Sequence, residues 1–436
     1  MSKEPEDIRV GVYPYVVVLI LGLIYAFNYL DRQIVAILVE PIKADLNLTD
    51  TQIGLVSGFA FALFYTTFGI PVAWLADRTN RVRVVAIACF VWSLFTGLCG
   101  MAGNFAHLLA ARIGVGIGEA GGAAPSMSII SDYFPPHRRG GAISIWSLGV
   151  PLGATAGVAL GGWVAAEFGW QWAFFAVAAP GIFLSVLLWI VVREPKRGRY
   201  DPAPATPAPS EPQPSIMECI RDYLRNPTLS LLLLAAATYS FVFNAFATWA
   251  PALLMRAKGA QMSDIAAYYS IVIGLAMAIG MFLSGFLADR YARKNPSAFA
   301  LIPAWALAIG VPFFIMGVLA DGWGAALIWF AIPMAMNMMF VAPGMAIVQN
   351  IAPPNQRSTS AAILLFVNNL VGMGLGPLYI GVVSEQLSHT YGPKAGLEYA
   401  MLSLTPFYPL AVIALVLVAR SLARRGFLAG SAPQST

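Results

Sequence analysis

Charge is what this sequence has least of. Only 11% of its 436 residues are Asp, Glu, Lys or Arg, against 58% hydrophobic, whereas a soluble globular chain carries roughly a quarter charged residues. With a mean hydropathy of +0.72, that scarcity argues against a water-solvated domain and for a chain whose main solvent is lipid. Histidine and cysteine are as sparse. His107, His137 and His389 are scattered, and Cys89, Cys99 and Cys219 show no CxxC spacing. Neither a disulfide framework nor a metal site is indicated. No nucleophile–base pair stands out, and the glycine run GVGIGEAGG lies inside an apolar stretch, where glycines pack helices rather than cradle phosphate. An enzyme is therefore not expected, nor a cofactor, a metal or a nucleic-acid partner.

Apolar runs are what the sequence has most of. Stretches of roughly 20 apolar residues read as membrane-spanning helices, and the pattern predicts twelve: 15–38, 51–75, 83–103, 106–132, 139–166, 171–192, 228–252, 264–288, 298–319, 323–349, 357–384 and 398–420. Forty glycines and thirty prolines are tolerated there, because neighbouring helices re-satisfy freed backbone groups. The start, MSKEPEDIRVGVYPY, has no cleavable signal pattern, so the first run is expected to remain in the protein. Residues 193–227 contain YDPAPATPAPSEPQPS, a solvated linker by composition, with a short interfacial helix expected from Ser215 to Arg225. The expected organisation is an N-terminal bundle (1–192), a linker (193–227) and a C-terminal bundle (228–436).

The basic residues segregate. Twelve crossings place 20 of the 26 Lys and Arg on the side of both termini, four on the other, and Arg32 and Arg112 within spans. The positive-inside rule then makes the termini and the central linker cytoplasmic. Compact loops suit a bacterial inner membrane.

The halves echo each other. GIPVAWLADRTNRVR (69–83) is answered by SGFLADRYARKN (284–295), and FPPHRRGGAIS (134–144) by APPNQRSTSAA (352–362). Asp289 follows Asp77 by 212 positions and Arg357 follows Arg139 by 218, the mark of a parallel duplication of six spans. These residues resemble the major facilitator superfamily, whose signature after the second span runs G-x-L-A-D-R-x-G-R-K/R. Ala73 and Asn80 replace its glycines in the first copy, and Ala292 replaces one in the second. The resemblance implies two pseudo-symmetric six-helix bundles, an all-α polytopic fold. It also implies a cytoplasmic gate at Asp77, Arg78, Arg81, Asp289 and Arg290, where a carboxylate holds the facing half in one state and releases it in the other. Span five carries Gly149, Pro151, Gly153, Gly157, Gly161 and Gly162. It is similar to the superfamily's antiporter motif, with Val158 in place of a proline, and equally fits close helix packing.

Four ionisable residues fall well inside spans: Asp31, Arg32, Arg112 and Glu119. Such residues are costly in lipid and usually face a cavity or a partner. Arg112 and Glu119 share one face of span four, roughly 10 Å apart along its axis, so each wants another partner. Asp31 and Arg112 lie at similar depth, roughly 10 Å below the outer surface, which suggests a pair across spans one and four. Arg32 and Glu119 are left for substrate and proton work. Glu119 lies nearest the midplane, where desolvation disfavours a carboxylate, and is the best candidate proton carrier. The arginines suit an anionic head group.

FNYLDRQIV in span one, with RIGVGIGEAGGAAPSMSIISDYFPPHRRG through span four, resembles the Spinster-like branch of the superfamily. That resemblance implies secondary transport of lysolipids or sphingolipids, with the four charged residues functional; Glu119 as proton carrier makes a transmembrane proton gradient the expected energy source. Span one alone is also similar to organic-anion symporters, and a drug exporter is a third reading. In the second half the polar candidates for a cavity are Tyr239, Asn244, Asn337, Gln349, Asn368 and Asn369. Phe241, Phe243, Phe246, Trp249 and the Met-rich run from Pro333 to Met345 are candidates for an apolar tail site. The expected partners are the bilayer and a lipid-like or anionic solute, with the chain working as a monomer.

Overall fold

Backbone groups in a bilayer core must pair within the chain, which leaves helices for a chain of this composition. In the computed structural model the described residues, 11–200, 215–292, 295–353 and 356–424, contain helices and no strand. Ten stretches are long and apolar enough to cross a membrane: Val12–Ile37, Asp50–Arg78, Arg81–Gly100, Pro136–Phe168, Trp170–Val191, Pro227–Arg256, Met262–Ala288, Ala298–Leu319, Trp323–Ile351 and Arg357–Arg424. The last, at 68 residues, holds two of the expected spans. Its helix is interrupted at Gly392, whose φ of 81° no other residue adopts readily, with Pro393 following. The remaining expected span, 106–132, is present but broken into Phe105–Glu119 and Ala123–Tyr133. The reason is local. Gly121 and Gly122 weaken the helix, and Pro125 has no N–H to bond the carbonyl of Gly121.

Other boundaries follow capping chemistry. Asn80 accepts from the backbone N–H of Arg83 and starts span three, and Asn104 does the same for His107 at the start of span four. The expected interfacial helix is Ile216–Arg225, opened by a capping box between Ser215 and Glu218. The Pro-rich stretch 201–214 lies outside the described residues.

The chain forms two compact units, and they differ from the sequence boundaries at two short segments. One unit comprises 1–48, 60–209 and 262–270; the other comprises 49–59, 210–261 and 271–436. Each short segment contains a turn of π-helix, Leu55–Phe59 and Ile265–Tyr269, at matching places in the two halves, so the duplication is visible in the backbone as well.

Close approach explains why each segment stays with its unit. In the second unit a Cβ on Gly54 would lie 2.7 Å from the carbonyl oxygen of Pro377, and one on Gly381 would lie 2.3 Å from that of Asp50. There Asp50 makes a bidentate pair with Arg256 at 2.7 and 2.9 Å and accepts from Ser384 at 2.6 Å. In the first unit a Cβ on Gly162 would lie 2.9 Å from that of Ala266. The glycines of span five dock span one in the same way: Cβ atoms on Gly153 and Gly157 would meet the carbonyl oxygens of Ala26 and Leu30 at 2.1 and 2.8 Å. That contact fixes the turn of span one that carries Asp31 and Arg32.

Candidate functional site

Spans one, two, three and four of the first unit build one charged cluster. Arg32 Nε donates to Glu119 Oε2 at 2.7 Å. Arg112 Nη1 faces Asp31 Oδ2 at 3.5 Å, and Thr96 Oγ1 donates to Asp31 Oδ1 at 3.0 Å. Asp31, Arg112 and Glu119 are each 1% exposed. The pair expected between spans one and four is therefore present. Arg32 and Glu119, read from sequence as the two working residues, are each other's partner.

Aromatic rings hold the two guanidiniums. The Phe61 ring has Arg32 at 5.2 Å and Arg112 at 5.1 Å, and Arg32 also lies 4.8 Å from the Tyr65 ring and 5.3 Å from that of Tyr29. Such faces attract cations without offering an acceptor, so they position the arginines and leave N–H groups for an anion. Arg112 Nε and Glu119 Oε1 are buried without a hydrogen-bond partner.

The glycines of span four make this geometry possible. A Cβ on Gly116 would lie 2.8 Å from the carbonyl oxygen of Phe61, and one on Gly118 would lie 2.6 Å from the backbone nitrogen of Trp92. Spans two and three thus press directly on the turn that ends at Glu119, and the helix breaks immediately after it. Beside Glu119 a narrow cavity is lined by Asn28, Tyr65, Trp92 and Ser126. Gly118→Ala is expected to lower stability by about 1–3 kcal/mol through overpacking and to depress transport with it. Gly140→Ala, where nothing lies within 4 Å of a new Cβ, should cost nothing in the same thermal-unfolding assay.

The expected gate residues are placed differently from one another. Arg81 is buried within the first unit, bound to Asp132 at 2.6 Å and Glu194 at 2.7 Å and donating to Ser128. Arg78 lies 4.1 Å from the Trp74 ring, and Asp77 is exposed. Arg197 donates to the carbonyls of Ala76, Asp77 and Thr79, capping the end of span two. Arg290 is exposed, and the side chain of Asp289 lies outside the described residues.

In the second unit Tyr239 packs at a tilt against Phe340 at 4.5 Å and stacks on Phe243 at 6.2 Å. Asn244 donates to Ser240 O and Asn337 to Pro333 O. The Oδ1 atoms of Asn337 and Asn368 are buried without a partner. Asn368 and Asn369 open a π segment, Asn368–Leu375, a distortion frequent at functional sites. Gln349 is exposed. Phe246 and Trp249 are core residues: Phe246 packs on Phe314 and Phe330, and Trp249 Nε1 donates to Pro377 O.

Sequence reading missed Thr96, Phe61 and Tyr65. A signal existed for the aromatics, since Phe61 and Tyr65 are four apart and so share a face of span two. Nothing in the local sequence marks Arg197 as a cap.

A helical chain with crossings of this kind and a paired charge cluster at membrane depth is a polytopic membrane transporter rather than an enzyme. It belongs to the Major Facilitator Superfamily, whose family model matches residues 21–377, and within that superfamily it is Spinster-like. It is similar, at 30% identity and a TM-score of 0.85, to the crystal structure of a bacterial homologue of the human lysosomal transporter Spinster in an inward-facing, unoccupied conformation; the match covers 98% of this chain and 100% of that one. It is 31% identical to an MFS-type efflux pump of Mycolicibacterium smegmatis, covering 86% of each chain. It is 28% identical to a hexuronate transporter of Bacillus subtilis, covering 92% of this chain and 94% of that one.

Proposed function

We propose that this secondary transporter moves a lysolipid or sphingolipid-like amphiphile with an anionic head group, linked to protons through Glu119. The carrying observation is the cluster itself: two buried carboxyls, each paired with an arginine. With both carboxylates ionised the four charges cancel. A proton on Glu119 leaves a net charge of plus one in a site that water barely reaches. A buried net charge is costly, and an anionic head group at Arg32 and Arg112 restores neutrality. Proton and anion therefore favour each other's binding. Protonation also loosens Glu119 from Arg32 and frees the guanidinium for the head group, while Tyr65 and Phe61 keep it in place.

The lipid substrate is supported by the Spinster-like kinship and by the motif pair in spans one and four. The hexuronate relative favours a second reading, in which the same arginines hold the carboxylate of a small organic anion. The segregation of Lys and Arg supports cytoplasmic termini in a bacterial inner membrane.

Proteoliposomes loaded with a panel of labelled solutes separate the two readings. The lipid reading expects saturable flux of a lysophospholipid that excess hexuronate does not inhibit. Hexuronate flux without lysophospholipid flux would replace it with the organic-anion reading.

A further inference from the structure

The second unit carries an apolar groove of about 540 Å³, and the charged cluster contributes no residue to it. One wall is span eight (Leu283, Leu287 and Tyr291, four residues apart), the other is span nine from Ala298 to Ile309, and Met336 and Met339 of span ten form the floor. Span eight is held to that floor: a Cβ on Gly280 would lie 2.0 Å from the carbonyl oxygen of Ala335, and Ser284 donates to Met339 O at 3.0 Å. The outer edges are open, with Trp305 68% and Ile309 49% exposed.

Three features select what fills it. First, its polar groups sit at one end only: Tyr291 and Asn295, with Arg290 exposed beside them. A tyrosine at the boundary between apolar wall and charge is where a membrane–water interface places one. Second, its length fits. The eleven steps from Ala298 to Ile309 rise about 16 Å, and the hydrocarbon of one leaflet is about 15 Å thick. Third, the floor is adaptable. Met336 and Met339 are unbranched side chains that conform to a flexible ligand; Met336 precedes, and Met339 lies within, a single turn of 3₁₀-helix, Met338–Phe340, that interrupts span ten.

We propose that this groove is a binding site for an anionic phospholipid of the bilayer. One acyl chain lies along spans eight and nine, and the head group sits at Arg290, Tyr291 and Asn295. The site does not depend on what the chain transports.

The test uses the full chain in phosphatidylcholine vesicles doped with phosphatidylglycerol that carries a photoreactive diazirine on one acyl chain. Labelled positions are mapped by mass spectrometry. Label is expected to concentrate on 298–309 and on Met336 and Met339, above the open face of span six at Phe183 and Ile190, which are 65% and 74% exposed. Phosphatidylglycerol should label the groove about fivefold more than a phosphatidylcholine probe, the factor expected of one basic side chain at a lipid surface, and Arg290→Gln should remove that preference. Leu301→Trp should reduce label at Met336 and Met339 and leave Phe183 unchanged. Equal labelling of both faces, or groove labelling indifferent to head group, overturns the proposal. So does a cross-linked dimer with a lipid-free groove.

Discussion

Glu119→Gln is expected to abolish accumulation driven by a pH gradient while sparing exchange of substrate across the membrane. The substitution keeps the shape of the side chain and an oxygen to accept from Arg32 Nε, now 2.7 Å from the carboxylate. What it removes is the proton. In the variant the cluster carries a fixed net positive charge, as the protonated wild type does, so the anion-loading state is always present. Substrate binding should lose its pH dependence and counterflow should stay within about tenfold of wild type, a barrier change near 1.4 kcal/mol. Uptake against a concentration gradient should fall to that of empty vesicles. Gradient-driven accumulation that survives in the variant would remove Glu119 from the coupling.

Arg112→Ala is expected to produce the largest loss of stability in the site. Asp31 would remain 1% exposed with only the Thr96 hydroxyl to answer it, and an uncompensated buried charge costs about 3–5 kcal/mol. Asp31→Asn alone should reproduce the transport defect of Arg112→Ala, because both break the same pair. The double variant Asp31→Asn/Arg112→Ala should then be less damaged than the sum of its parts, since neighbours that share a partner are not additive. Thermal unfolding of the three variants in detergent, beside their flux, tests this. Strict additivity, or full activity in Asp31→Asn, would show that the pair does not act as a unit.

The architecture was legible because a bilayer leaves few choices. Run length gave the crossings, and basic residues confined to alternate loops supported their number. The repeated LADR and PP-x-x-R segments gave the duplication. The break in span four was not read from the sequence, because hydropathy averages across Gly121, Gly122 and Pro125. The exchange of short segments between units was not legible. It depends on which glycines face which backbones, as with Gly54 against Pro377, and that is a property of packing.

The site was legible to the extent that charge is rare in lipid. Depth along spans one and four was enough to pair Asp31 with Arg112. The pairing of Arg32 with Glu119 was not deduced, because it requires the rotation of span four about its axis, which Gly116 and Gly118 set by admitting Phe61 and Trp92. The aromatic bed of the arginines was missed for a different reason. In a chain this apolar, Phe61 and Tyr65 stand among many rings, and only contact distances separate those that carry a cation from those that face lipid.

On the proposed mechanism a proton travels with the substrate. The most direct measurement is the pH inside vesicles containing the wild-type chain and a trapped pH dye, recorded as lysophospholipid is added outside with no gradient imposed. A change of internal pH is expected that follows substrate influx, is absent from empty vesicles and vanishes in Glu119→Gln. Full lysophospholipid flux with no movement of protons would contradict it.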